Sequence, residues 1–218
     1  MAHVLDEPPP ALSRSIVYVI DDDDSQRHAL SSLFRSTGMH AESFASCDAF
    51  LQFERPEVPS CLLLDVRLRG YSGLVFQTQE AQRRDPVPIV FMTAHGDVWM
   101  CAKAMKAGAV DFLTKPLRDQ EVLDAVAAGI ERDAARRQSV ELNADLQRRY
   151  ATLTPREREV LSHVLRGSLN KQIAADLALS EVTVKMHRGQ VMHKMGSRSV
   201  ADLVQKAGLL GLAPLRWN

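Results

Sequence analysis

Residues 16–24 read IVYVIDDDD, and residues 61–65 read CLLLD. In both stretches an unbroken apolar run ends in aspartate. Helix-like sequence, for example at 25–36 and 98–107, separates such runs. Strands that alternate with helices are typical of βαβ units, and unbroken apolar strands are typical of a sheet buried on both faces. We therefore predict an α/β domain with a doubly wound, five-stranded parallel sheet. The other three apolar runs are at 41–44, 88–92 and 109–113.

Polar residues stand where these apolar runs end. In a doubly wound sheet the carboxyl ends of the strands meet at one edge, where ligands bind. Carboxylates crowded there repel one another unless a cation lies among them, and Mg²⁺ prefers such oxygen ligands. Asp65 would be the nucleophile that forms an aspartyl phosphate, with Thr93 and Lys115 holding the phosphoryl oxygens. Asp23 and Asp24 are interpreted instead as the capping, solvated start of the next helix. The residues at these ends are Asp21, Asp22, Asp23, Asp24, Asp65, Thr93, Lys115 and Pro116.

The composition is that of a globular protein. The chain has 218 residues, 45% hydrophobic and 25% charged, a length that suits one large or two small domains. No apolar run approaches the roughly 20 residues of a membrane helix, and residues 1–15 lack the pattern of a secretory signal. The three cysteines, Cys47, Cys61 and Cys101, show neither disulfide nor zinc spacing. We expect a cytoplasmic protein with no membrane partner and a disordered segment at 1–14.

Charge is unevenly distributed along the chain. The 27 basic and 27 acidic side chains cancel overall. Residues 1–118 hold 12 basic and 15 acidic groups (net −3), 119–150 hold 5 and 7 (net −2), and 151–218 hold 10 and 5 (net +5). A small basic segment is the electrostatic footprint of a nucleic-acid-binding module, with chance fluctuation as the alternative.

The basic segment is predicted to form four short helices. Thr154, Pro155 and Glu157 make a helix start with a capping box, and this helix is expected to stop at Gly167. Two short helices joined by a tight turn indicate a helix-turn-helix. The expected bounds of the later helices are 171–177, Ser180 to about Gly196, and 199–207 with Gly208 as the stop.

The third of these helices divides into an inner and an outer face. At about 100° per residue, Val184, Val191 and Met195 share the face that packs on the second helix. Arg188 lies nearer this core side and is assigned to phosphate contact, while His187 is expected to pack or to contact phosphate. The opposite face is expected to reach base edges in the major groove. Its residues are Lys185, Met186, Gly189, Gln190 and His193.

Residues 119–150 contain no proline and one glycine, which indicates a long helix. The last helix of the α/β domain is expected to reach about 131, and 132–150 to form a linker helix with a break near Ser139. The run ERDAARRQ at this junction is mostly charged. Two apolar stripes at helical spacing could pair with a second copy as a short coiled coil or pack within the chain. They consist of Leu123, Val126, Ala127, Ile130 and Ala134, and of Leu142, Leu146 and Tyr150.

Residues 16–131 resemble the receiver domain of bacterial two-component response regulators. The matching stretches are IVYVIDDDDS, CLLLDVRL, YSGL, VFMTAHGD and MKAGAVDFLTKP. The resemblance implies a CheY-like receiver over 15–131 with Asp65 as the phosphoacceptor. It also implies that Asp21, Asp22, Asp65 and the backbone carbonyl of Arg67 bind Mg²⁺ or Mn²⁺.

The same resemblance assigns the parts of the phosphorylation switch. Thr93 matches the switch hydroxyl and Lys115 the phosphate-binding lysine. Phe112 matches the switch aromatic, although an aromatic on this strand can equally belong to the core. The bond between Lys115 and Pro116 is expected to be cis.

Three positions near the phosphoacceptor are unusual for the family. Arg69 stands where the family usually has proline, and Arg67 and His95 place two potentially cationic side chains beside the phosphoryl position. These departures leave open an alternative, a phosphorylation-independent DNA-binding regulator with a degenerate receiver.

Residues 151–210 resemble the DNA-binding domain of the LuxR/NarL/FixJ family. The matching stretches are LTPREREVL, NKQIAADL, LSEVTVKMHRGQVMHKM and SVADLV, and AHGDVWMCAKAMKAGAVDF in the receiver favours the FixJ-like branch. The resemblance implies that the third helix reads bases and the fourth forms a dimer contact, with 211–218 as a tail. The phosphate contacts that it implies are Asn170, Lys171, Thr183, Lys194 and Arg198.

Together these features predict a two-component response regulator. A sensor histidine kinase phosphorylates Asp65, the receiver dimerises through its fourth helix and fifth strand, and the homodimer binds a double-stranded DNA operator to regulate transcription. RNA polymerase is a further candidate partner. A hydrolase acting through a phospho-enzyme is disfavoured because no P-loop and no catalytic Ser/His/Asp order is present. We expect no enzyme activity beyond phosphotransfer to the receiver itself and autodephosphorylation.

Overall fold

The structure, a computed structural model, describes residues 15–68, 71–94 and 98–212. It divides into two compact units between Arg137 and Gln138. The segment 1–14, the tail beyond residue 212, Arg69 and His95 lie outside the described residues, so the expectations for them stay predictions.

The first unit is built on the predicted five-stranded parallel sheet, which confirms the α/β fold. In chain order the strands are β1 (Ile16–Ile20), β2 (His40–Phe44), β3 (Ser60–Asp65), β4 (Arg67–Leu68), β5 (Tyr71–Ser72), β6 (Ile89–Thr93) and β7 (Asp111–Thr114). The sheet has the order β2-β1-β3-β6-β7, and β4 and β5 form a separate antiparallel pair. The order reverses direction at β1, so the sheet is doubly wound as expected.

The helices of the first unit follow the sheet strands in alternation. They are α1 (Asp24–Ser36), α2 (Cys47–Gln52), α3 (Gly73–Glu80), α4 (Val98–Lys106) and α5 (Asp119–Ala151), whose residues from Gln138 onward belong to the second unit. Asp23 precedes α1, and its Oδ1 accepts the N–H of Ser25 at 2.8 Å, which confirms the predicted capping role.

Both faces of the sheet are covered by apolar cores, as the unbroken apolar strands predicted. Side chains alternate along β1, so Tyr18 and Ile20 enter one core while Val17 and Val19 enter the other. All six residues of β3 are buried. The central strands therefore hold their carboxyl-terminal residues in a buried, closely packed frame.

Helix α5 is continuous from Asp119 to Ala151, so the break expected near Ser139 is wrong. Nothing in this stretch interrupts helical hydrogen bonding, since proline is absent and Gly129 keeps a negative φ. The buried face is centred on Val122, Val126 and Ile130. The first predicted stripe is therefore displaced by about one position, and its members Leu123, Ala127 and Ala134 are only half-buried.

A buried carboxylate fixes α5 to the amino-terminal edge of the sheet. Asp133 has no exposed area, and its Oδ2 accepts the backbone N–H of Ser60 at 3.0 Å and Arg137 Nε at 2.8 Å. Arg136 Nη2 donates to Asp133 Oδ1 at 2.7 Å. Both guanidinium groups also pair with Asp85. The run ERDAARRQ, noted only as mostly charged, thus contains a buried carboxylate and its partners.

The second unit contains the four predicted helices, α6 (Pro155–Leu165), α7 (Asn170–Leu177), α8 (Glu181–Lys194) and α9 (Val200–Leu209). The capping box of Thr154 and Glu157 is present. Gly208 does not stop the last helix, which continues to Leu209 because the left-handed residue is Gly211, with φ 71°. Ala178, with φ 51°, lies in the turn between α7 and α8.

The second predicted apolar stripe of α5 is at least partly used within the chain. Tyr150 packs against the core of the second unit, and Leu146 is buried. Leu142 is 56% exposed. Pairing of this stripe with a second copy stays a prediction that now rests on Leu142 alone.

Candidate functional sites

The carboxyl edge of the sheet brings together three of the predicted site residues. Lys115 follows β7, and its Nζ donates to Asp21 Oδ2 at 2.7 Å and to Asp65 Oδ2 at 2.5 Å. Asp21 is fully buried and Asp65 is 7% exposed. The ammonium group therefore lies between two carboxylates that come from different strands of the sheet.

The backbone holds both carboxylates in place. Asp21 Oδ1 accepts the N–H of Asp23 at 2.9 Å, and Asp65 Oδ1 accepts the N–H of Arg67 at 2.8 Å. Each carboxylate thus uses one oxygen for the backbone and one for the Lys115 ammonium. Burial lowers the pKa of Lys115, but its hydrogen bonds to the two carboxylates outweigh burial and hold the pKa above its usual range. The lysine is therefore charged at neutral pH.

Thr93 and the backbone around Lys115 complete this edge. Thr93 is the buried last residue of β6, and the N–H of Lys115 donates to its carbonyl at 2.7 Å. The Lys115–Pro116 peptide bond is cis, as expected. Phe112 on β7 is half-buried, with its ring centroid 6.2 Å from that of Phe91. This position suits a switch aromatic and a core residue equally.

The donor chemistry of the edge fits a divalent cation. Three carboxylates, from Asp21, Asp22 and Asp65, and one ammonium leave a formal charge of −3 + 1 = −2. Carboxylate and carbonyl oxygens are the ligands that Mg²⁺ prefers. Within residues 15–68, 71–94 and 98–212, however, no three acidic, histidine or cysteine side chains converge on one cation position. Asp21 and Asp65 face Lys115 instead, and Asp22 is half-exposed.

In the second unit, α8 has the two faces that its sequence predicted. Val184, Val191 and Met195 are buried together with Ile173 of α7. The five residues assigned to the outer face are at least partly exposed, namely Lys185, Met186, Gly189, Gln190 and His193. The outer face of α8 is thus available to a partner.

Three of the expected phosphate contacts, Asn170, Lys171 and Thr183, lie in the first turns of α7 and α8. Ser180 caps α8 through the N–H of Thr183 at 3.0 Å. Asn170 Oδ1 accepts from Arg188 Nη1 at 2.9 Å, which links the first turn of α7 to the middle of α8. Arg188 is half-buried, as its assignment to the core side implied. Lys171 and Arg198 are exposed.

Lys194, a predicted phosphate contact, makes several hydrogen bonds within the second unit. Its Nζ lies 2.7 Å and 2.9 Å from the two carboxylate oxygens of Glu157 and 3.2 Å from the carbonyl of Thr152. Glu157 is 5% exposed and also accepts the N–H of Thr154 at 2.8 Å. The ammonium donors are therefore used inside the unit, because they neutralise a buried capping carboxylate.

The structure adds one residue to the outer face of α8. Val182 is 79% exposed in the first turn, four residues before Met186. The predicted outer face began at Lys185 and did not include Val182. The same 100° rule that placed Met186 would have found Val182, because residues four apart share a face.

The fold and the two sites define a receiver joined to a helix-turn-helix module, and comparison with known proteins gives the family. The family model "Response regulator receiver domain" matches residues 17–127, and "Bacterial regulatory proteins, luxR family" matches residues 151–207. The chain belongs to the response regulators that carry a LuxR-type DNA-binding domain.

Individual relatives cover nearly the whole chain. Nodulation protein W of Bradyrhizobium diazoefficiens is 50% identical over 203 residues, which span 93% of this chain and 89% of that protein. Transcriptional regulatory protein FixJ of Azorhizobium caulinodans is 40% identical, over 91% of this chain and 94% of its own length. The solved structure of response regulator StyR matches with a TM-score of 0.80 and 46% identity, covering 89% of this chain and 98% of that one.

These matches confirm the resemblance to FixJ-like regulators. The relatives include named transcriptional regulators, which agrees with the expectation that the chain is not an enzyme. In the described part of the chain, no helix combines the length and apolar character of a membrane span.

Proposed function

We propose that this chain is a phosphorylation-controlled transcription regulator, in which Asp65 accepts a phosphoryl group from a sensor histidine kinase. The observation that carries the proposal is the Lys115 ammonium, 2.5 Å from Asp65 Oδ2 and 2.7 Å from Asp21 Oδ2. A cation so placed can pair with an oxygen of a phosphoryl group on Asp65. Mg²⁺, when bound by Asp21, Asp22, Asp65 and the Arg67 carbonyl, would neutralise the charge of the transferring phosphoryl group.

Phosphorylation would act through the neighbouring strands. β3 and β6 are paired, with Asp65 opposite Met92, so Thr93 ends the strand next to the phosphoacceptor. A phosphoryl group adds negative charge and acceptor oxygens, which would draw the Thr93 hydroxyl inward. Phe112, half-buried on β7, would follow. The result is a shift between two receiver conformations rather than a new fold.

The homodimer is proposed to form through α4 and β7, the fourth helix and the fifth strand of the receiver sheet. Val98, Trp99 and Met105 of α4 are 83%, 66% and 42% exposed. Burial of such apolar side chains against a second receiver would stabilise a dimer. A dimer in turn presents two helix-turn-helix modules to a two-fold DNA operator.

The second unit is proposed to bind that operator in the cytoplasm, with RNA polymerase as a further candidate partner. Exposed cationic groups, such as Lys171 and Arg198, would contact phosphates, and the outer face of α8 would enter the major groove. Lys194 stays a predicted phosphate contact, and its ammonium also pairs with Glu157.

Light scattering tests the switch. Full-length wild type, Asp65→Ala and Asp48→Ala are measured with Mg²⁺ with and without beryllofluoride, a phosphoryl mimic. Asp48 is an exposed aspartate of α2 and serves as the matched control. Wild type and Asp48→Ala should change from a 24.2 kDa monomer to a dimer, and Asp65→Ala should not.

Two results would contradict the proposal. A dimer of the same mass in all samples would mean that dimerisation is independent of Asp65, which favours the regulator with a degenerate receiver. A monomer in all samples would mean that the receiver does not switch. DNA binding that does not weaken between low and moderate salt would separately exclude the phosphate contacts.

A further inference from the structure

The outer face of α8 contains two exposed apolar side chains that belong to none of the hydrophobic cores formed by the described residues. Val182 is 79% exposed and Met186 is 56% exposed. They are four residues apart and thus lie one above the other on consecutive turns. Single exposed apolar residues are common in proteins, but this pair occupies the helix that the proposed function places in the DNA groove.

The pair lies at the centre of that face. At about 100° per residue, Val182, Met186, Gly189 and His193 fall within an arc of about 60°, directly opposite the buried side chains of the helix. Packing inside the chain does not require glycine at position 189, because a Cβ added there would meet no atom within 4 Å. The missing side chain would instead allow the DNA to approach the helix closely. Lys185 lies to one side of the arc. The centre of the outer face therefore carries no permanent charge, and the side chains that the first two turns of α8 place there are apolar.

The chemistry of this strip selects among base pairs. The thymine C5-methyl is the apolar group that the major groove displays, whereas the other base edges present hydrogen-bond donors and acceptors. Valine offers neither donor nor acceptor and methionine only a weak acceptor. Apolar side chains pressed against adenine, guanine or cytosine edges would strip water from polar groups without replacing their hydrogen bonds.

We propose that Val182 and Met186 read thymine methyl groups and so determine part of the operator sequence. The inference rests on the proposed DNA-binding function. Four residues of helix rise about 6 Å, and base pairs rise about 3.4 Å. The two side chains therefore reach thymines about two base steps apart when α8 follows the groove.

The test replaces thymine by uracil, which lacks only the methyl group. The beryllofluoride-treated full-length protein first selects its preferred duplex from a random pool. Each thymine of that duplex is then changed to uracil, and affinities are measured by fluorescence anisotropy. Burial of one methyl is worth about a three- to five-fold change in affinity, so uracil should weaken wild-type binding by that factor at two positions.

Substitutions then assign each position to a side chain. Val182→Ala should bind with equal affinity whether thymine or uracil occupies one of the two positions. Met186→Ala should show the same insensitivity at the other position. Val75→Ala is the matched control, because Val75 is a 52% exposed valine of α3 in the receiver and should keep the full uracil effect.

The outcomes separate this inference from the proposed function. Tight, sequence-selective binding without any uracil effect would overturn methyl readout and leave DNA binding intact. A uracil effect that persists in both Val182→Ala and Met186→Ala would overturn the assignment of these residues. Failure to select any duplex would refute the DNA-binding function itself, and the inference with it.

Discussion

Removal of the Asp133 carboxylate should destabilise the receiver strongly. Asp133 is fully buried, and it accepts from the N–H of Ser60 at 3.0 Å, Arg136 Nη2 at 2.7 Å and Arg137 Nε at 2.8 Å. In Asp133→Ala a buried N–H loses its acceptor, at about 1–3 kcal/mol, and two partly buried guanidinium groups lose one counter-charge. Breaking a buried pair costs about 3–5 kcal/mol in total.

The same helix provides a matched control. Asp145 pairs with Arg149 Nε at 2.6 Å and with Arg148 at 3.5 Å, in the same i,i+4 and i,i+3 spacing that Asp133 has with its arginines. Here the aspartate side chain is 42% exposed. Exposed pairs contribute at most about 1 kcal/mol. Both substitutions introduce the same helix propensity of alanine, so this contribution cancels in the comparison. The free energies of unfolding of the two variants should therefore differ by about 2–4 kcal/mol.

Urea denaturation measures both variants. Far-UV circular dichroism follows the whole chain, and the fluorescence of Trp99 reports on the receiver, with Trp217 replaced by phenylalanine in every sample. Asp133→Ala should move the receiver transition to lower urea and leave its slope unchanged. If Asp133→Ala and Asp145→Ala lowered the free energy of unfolding by the same amount, the reasoning from burial would be refuted.

Three further changes follow from packing and charge. Gly129→Ala should lower the free energy of unfolding by about 1–3 kcal/mol, because its Cβ would come within 2.3 Å of Cys61 Sγ. Thermal unfolding measures this loss, and an unchanged midpoint would contradict the close packing of Gly129 on Cys61. Gly189→Ala, with no atom within 4 Å of the new Cβ, should instead stabilise the second unit by about 1 kcal/mol in the same assay. Burial raises the pKa of Glu157, but Lys194 and the cap hold it below its usual range. The second unit should therefore lose stability as the pH falls below about 4.3, and urea titrations of Glu157→Gln should show a weaker pH dependence.

Much of the architecture was predictable from local pattern. The unbroken apolar runs ending in Asp21 and Asp65 predicted central strands and a polar edge, because such strands must be covered on both faces. Thr154 and Glu157 predicted a helix start, since a capping box satisfies the backbone donors of a single turn. These features depend on residues near one another in sequence, so the sequence determined them by itself.

Other features depended on distant neighbours. The sequence placed Lys194 among the phosphate contacts, and only the fold shows that its ammonium pairs with a carboxylate 37 residues earlier. Residues 132–137 and 144–149 have the same spacing of aspartate and two arginines on one helix. Only Asp133 faces the backbone of Ser60 across the sheet edge, while Asp145 faces solvent. The sequence thus determined the helix and its charges, and the tertiary structure decided which pair is buried, because burial depends on what the fold brings opposite each turn.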